Sequence, residues 1–195
     1  MSPGLAYPLL GGLGGLAWAS ALRGWMVELA GPTESEVTWL TFLLVLLPGT
    51  LVGVAFGRAA HLRAAGRQAH RAIALAPLLL ASAILDPQIF RALITTGEGG
   101  GALFVVATVL AGGHALSHRG WSPTRVATAT LAAFGVGAMF AVGALAAPLT
   151  SPRGLWVALL GSSLIALACL AASLPYPRPG QSTNSTTKQA VQGLR

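Results

Sequence analysis

The sequence predicts an all-α fold, a polytopic membrane helix bundle of about six transmembrane helices, and three observations predict it. Of 195 residues, 54% are hydrophobic and 9% charged, with a mean hydropathy of +0.70. A soluble domain carries roughly 25% charged residues, so this chain lacks the polar surface to cover a body in water. The apolar residues fall into six stretches near the length a bilayer core demands, about 20 residues of helix. The basic residues gather in alternate connections between those stretches.

Hydrocarbon offers no partner for a backbone N–H or C=O, so each crossing segment must be helical. In chain order the predicted helices cover 5–22, 37–57, 72–85, 99–116, 126–149 and 155–174. The first runs out in "ALRGWMVELAGP", where Gly31-Pro32 forces a turn. Ala19-Ser20-Ala21 has the A-x-A form of a signal-cleavage site ahead of Leu22. No Lys or Arg precedes the run, however, so the stretch is expected to remain as a helix. In the second, Gly49, Gly53 and Gly57 recur every four residues on one face, the register that lets two helices approach closely. Pro48 just ahead of them removes a backbone donor and predicts a kink. The third stretch is short: about 14 α-helical residues rise only about 21 Å. It is therefore expected to take in Asp86 or the basic flank at its other end.

Residues 1–174 thus form one transmembrane domain. Residues 175–195, rich in Pro, Ser, Thr, Gln and Gly, read as a disordered cytoplasmic tail. "RGW" occurs at Arg23–Trp25 and again at Arg119–Trp121, after the first and fourth stretches. Two inverted halves would give that recurrence, but the flanking residues do not follow, and an Arg and a Trp anchoring each interface account for it more simply.

The chain has 12 basic and 5 acidic residues, a net charge of +7. In a soluble protein that excess suggests nucleic acid; here it sits in short loops and acts as a topology signal, so no nucleic acid is expected. Arg58, Arg63, Arg67, Arg71, Arg119, Arg125, Arg178, Lys188 and Arg195 fall on one side, and only Arg23, Arg91 and Arg153 on the other. The bias places both termini in the cytoplasm. Glu28, Glu34, Glu36, Asp86 and Glu98 then all face outward. The preference for Arg over Lys suggests a GC-rich bacterial genome, and with it the inner (plasma) membrane.

Four groups of residues invite a chemical reading. Arg23, Glu28, Asp86 and Arg91 lie at the outer ends of the first and third helices and could form a charged binding cluster. In an unbroken helix Arg23 and Glu28 project about 140° apart, so a direct pair needs a break at Gly24. The alternative is an interface, with Arg23 reaching the head groups and Trp25 in the aromatic belt. His114 and His118, at i and i+4, could share a metal to which Cys169 adds a soft ligand. With no third ligand at recognisable spacing, no metal or cofactor is expected. The single Cys169 also rules out an intramolecular disulfide. The basic loop 58–71 is suited to anionic lipids. The Gly49, Gly53, Gly57 face is suited to a helix of this chain, a second copy or a membrane complex.

The sequence contains no P-loop, no G-x-G-x-x-G after a strand, no H-E-x-x-H, no G-x-S-x-G and no C-x-x-C. No stretch carries an Asp, Glu, Lys or Arg at its centre, where coupled carriers and pumps usually place one. The expectation is therefore a non-enzymatic accessory or a lipid- or small-partner-binding membrane protein. A small transporter or channel is the second reading. An outer-face enzyme using Glu28 or Asp86 as acid or base is the third.

Overall fold

The computed structural model of the chain describes residues 3–31, 37–95, 100–117 and 121–176. Among them every regular element is helical: α1 (Pro3–Ala30), α2 (Trp39–Ala64), α3 (Arg71–Leu85), α4 (Pro87–Thr95), α5 (Gly101–Ser117), α6 (Pro123–Ala146) and α7 (Pro152–Ala172). α1, α2, α6 and α7 are long and apolar enough to cross a membrane, and α3 and α5 are shorter apolar helices. The protein is a membrane helix bundle, its large apolar side chains exposed on most helices, as at Leu10 (69%) and Leu145 (87%).

The helices begin and end where capping chemistry allows. Ser122 and Ser151 accept from the N–H groups of Arg125 and Gly154, each followed by Pro at the first helical position. Those caps start α6 and α7 three residues ahead of the first apolar residue. α1 ends at Gly31 with φ +90°, a left-handed conformation suited to glycine. α2 ends in a Schellman motif: Gly66 (φ +69°) donates to the Arg63 carbonyl and Arg67 to that of Leu62. α4, not expected from the sequence, is a short helix whose Ile89, Phe90 and Ile94 share one side.

α3 resolves its apparent shortness by changing geometry. It is a 3₁₀ helix of 15 residues. At about 2.0 Å per residue that spans about 30 Å, the thickness of a hydrocarbon core, against about 22 Å as an α-helix. His70 caps its start, Nδ1 accepting from the Ala72 N–H. Asp86 lies at its far end, where its carbonyl accepts from Phe90 to open α4.

The predicted disturbance at Pro48 takes the form of a π-helical turn, Phe42–Leu46. Pro48 has no N–H for the carbonyl four residues behind it, that of Leu44. The Ser82 hydroxyl of α3 lies 3.0 Å from that carbonyl and 2.7 Å from the Leu79 carbonyl of its own helix, so its one proton is shared between the two. One irregular helix thus offers the freed carbonyl of the other a partner across their contact. Ser82→Ala is expected to cost about 0.6–1.7 kcal/mol in detergent, and less when Pro48→Ala has restored the N–H. A double-mutant cycle measures the coupling; strictly additive costs would contradict it.

Neighbouring helices alternate in direction. Gly11 and Gly15 of α1 meet Gly57, Gly53 and Gly49 of α2 in antiparallel order, and Gly143 of α6 meets Ala158 of α7. Gly112 and Gly113 of α5 meet Cys169 and Ala172 of α7 in parallel order. One end of the bundle, the basic end, therefore holds the start of α1, the end of α2, the start of α3, the end of α5, the start of α6 and the end of α7. Arg58, Arg63, Arg67, Arg71 and Arg125 lie there. The opposite, acidic end holds Glu28 and Asp86 with Arg23, Arg91 and Arg153.

Candidate functional site

α1 passes unbroken through Gly24, so Arg23 and Glu28 stay about 140° apart around it. Glu28 is instead bound by Arg153 at the start of α7, whose Nη2 and Nε lie 2.8 and 3.0 Å from the same carboxylate oxygen. Arg153 is 63% exposed, and a pair that wet contributes no more than about 1 kcal/mol. Asp86 and the exposed Arg91 flank the junction of α3 and α4 at this same end.

Trp25 is not in the aromatic belt. It is 4% exposed, and its indole N–H donates to the Val157 carbonyl of α7 at 2.8 Å. Trp18, seven residues earlier, donates to the Leu164 carbonyl, seven residues later, at the same distance. With Glu28 and Arg153 these contacts form one antiparallel seam between α1 and α7. The acceptor carbonyls are reachable because small residues, Gly161 and Ala168, stand one turn beyond them on α7. A Cβ on Gly161 would lie 2.6 Å from the Trp25 ring. The exposed tryptophans are instead Trp39 and Trp156 at the acidic end and Trp121 at the basic end, at 86%, 52% and 95%.

On the basic side of Trp18 the seam has nothing large to fill it. Gly11, Gly14 and Gly15 of α1 face Ala168 and Ala171 of α7, and the gap is a cavity of about 240 Å³. Val52 and Phe56 of α2, Leu80 of α3 and Val109 of α5 close its back. Every lining residue is Gly, Ala, Val, Leu, Phe or Trp, and the one polar side-chain atom among them, the Trp18 indole nitrogen, is spent on Leu164. The cavity opens sideways: Gly14 is exposed with nothing within 4 Å of its Cβ position, and Leu167 is 56% exposed. A shallower groove between α6 and α7, about 430 Å³, carries Ser162 and Ser163, whose hydroxyls donate to carbonyls of their own helix.

α1 and α2 approach closely along glycines that also line the cavity, Gly11, Gly15, Gly49 and Gly53. A Cβ on Gly53 would lie 2.8 Å from the Gly15 Cα, one on Gly11 2.8 Å from the Gly57 Cα, and one on Gly49 2.5 Å from the Ala19 Cβ. The Gly49, Gly53, Gly57 face thus lies against α1 of the same chain. The glycines of α1 that oppose it left no comparable impression at the sequence level, although Gly11, Gly15 and Ala19 repeat at the same four-residue interval.

His118 lies outside the described residues, as do Glu34, Glu36, Glu98 and 177–195. His114 packs edge-on against Tyr176, ring centroids 6.1 Å apart, so the packed fold reaches two residues into the expected tail. Burial raises the Tyr176 pKa, and the ring enters this contact as a neutral phenol. The Cys169 thiol donates to the Thr108 carbonyl at 3.6 Å. Among the described residues no group of three or more His, Cys, Asp or Glu gathers in a way that could hold a metal. Comparison of the chain with protein families, with curated proteins and with solved structures gives no match.

Proposed function

We propose that the protein is a non-enzymatic, six-pass protein of a bacterial inner membrane, both termini cytoplasmic, that binds one acyl chain in the cavity between α1 and α7. The observation that carries this reading is the cavity's wholly apolar lining. Such a space stays dry and takes an apolar guest, and its volume lies below the roughly 300–1,000 Å³ that accommodates a drug-sized ligand. A slender chain fits that shape, and the sideways opening faces the solvent in which such chains are most abundant. The six-pass orientation rests on the basic residues at one end and on the lengthened α3, which lets a 15-residue segment cross.

The apolar lining weighs against a channel or carrier, for which it supplies no coordinating oxygen or nitrogen. The Glu28–Arg153 pair weighs against general acid–base work by Glu28, because one oxygen of that carboxylate is already engaged by a guanidinium 2.8 Å away.

The test is ligand-dependent stability, since a ligand of the folded state raises its melting temperature. Added phospholipid is expected to raise that of the detergent-purified protein. Gly14→Leu, whose Cβ meets no atom within 4 Å and whose longer side chain extends into the opening, is expected to abolish the rise. Gly137→Leu, an equally open glycine away from the cavity, is expected to retain it. A Gly14→Leu protein that responds like the unaltered one would overturn the reading.

A further inference from the structure

We infer that the cavity selects an anionic phospholipid from the leaflet at the basic end, one acyl chain entering between α1 and α7 and the phosphate resting at Arg63. The inference rests on the chain-binding reading and adds the head group to it. On α2 the cavity residues Gly49, Val52 and Phe56 continue through Ala59 to Arg63 at spacings of three and four, a single stripe along the helix. Arg63 stands seven residues, about 10 Å, beyond Phe56 on that stripe and is half-buried. The cavity residues of α2 and Arg63 thus share one face of that helix, with Arg63 toward the basic end.

The charge around that position is of one sign. Arg58, Arg67 and Arg71 share the end with Arg63, while all five acidic residues of the chain lie in the last turn of α1 or in the segments joining α1 to α2 and α3 to α5. The cavity itself is displaced toward this end: it takes 167–171 from α7, the half of that helix farther from Arg153. A lipid from the other leaflet would bring its phosphate to the end where Arg23, Arg91 and Arg153 are offset by all five acidic residues of the chain. Arg in particular suits a phosphate, offering paired N–H donors in a fixed plane.

The experiment is a competition read by native mass spectrometry of the full chain, released from nanodiscs holding equal amounts of phosphatidylglycerol and phosphatidylcholine with identical acyl chains. One retained lipid is expected, with the anionic species favoured. Arg63→Gln is expected to reduce that preference about fivefold, the effect of one basic residue near a membrane surface, while total retention persists. Arg67→Gln, in the same basic connection but off the helix, is expected to leave the preference largely intact. Equal retention of the two lipids by the unaltered protein would overturn the head-group inference and leave the chain-binding reading standing. Retention of neither would overturn both. Equal losses from Arg63→Gln and Arg67→Gln would show diffuse attraction and overturn the seat at Arg63.

Discussion

Replacing Gly53 by Ala, a single methyl group, is expected to destabilise the protein more than replacing Gly14 by Leu. On helix propensity alone both changes should help, since Gly costs a helix about 1 kcal/mol relative to Ala. Surroundings decide the sign. A Cβ at Gly53 would meet the Gly15 backbone at 2.8 and 2.9 Å, and backbone has no rotamer with which to move aside. Overpacking of this kind costs typically about 1–3 kcal/mol, and Gly53→Ile, which must separate the helices altogether, is expected to exceed that range. Gly14 stands on α1 beside Gly15, with nothing within 4 Å of its Cβ position. Thermal melting in one detergent checks the ordering; a melting curve for Gly53→Ile that matches the unaltered protein would show that α1 and α2 do not meet there.

Removing the Trp25 ring is the second large effect. Trp25→Ala empties a site in the core cluster of buried residues that also holds Val157, Leu164 and Ile165, and large-to-small changes of that size cost about 3–5 kcal/mol. Gly161 supplies the check, because its missing side chain is the space the indole occupies. Gly161→Leu in the otherwise unaltered protein is expected to be destabilising, its Cβ alone falling 2.6–2.7 Å from three ring atoms. Combined with Trp25→Ala, the same leucine refills the vacated volume and is expected to restore stability. Chemical denaturation of the four proteins measures this reversal of sign. Additive losses would mean that the ring and the glycine do not share the space.

The helices were legible because hydropathy reports burial in lipid, and lipid burial is what most of these residues experience. Hydropathy was silent on how a helix is wound, so α3 looked too short; nothing in "RAIALAPLLLASAIL" distinguishes a rise of about 2.0 Å from one of about 1.5 Å. Pro48 announced a break but not the partner offered to the freed carbonyl, Ser82 of another helix. Glu28 pairs with Arg153, a partner the sequence reading did not name because it lies 125 residues away. Trp25 was read as interfacial from its place near Arg23, whereas the informative relation was its seven-residue spacing from Trp18, which puts both indoles on the face that meets α7. The cavity had no sequence signature of its own. It arises where the glycines of α1 and the alanines of α7 come opposite each other, a pairing that only the tertiary register creates.

The central claim, a lipid chain inside the bundle, is tested most directly by photo-crosslinking in a bilayer with phospholipids bearing a diazirine at mid-chain, followed by residue-level mapping. Val52, Phe56 and Val109 line the cavity but are 7%, 6% and 1% exposed, so a probe confined to the outer surface does not reach them. The account predicts adducts on these buried residues in the unaltered protein, and their loss in Gly14→Leu while adducts on outward-facing Phe134 and Leu145 persist. Adducts on Phe134, Leu145 and other exposed side chains alone, with Val52, Phe56 and Val109 unmodified, would contradict it.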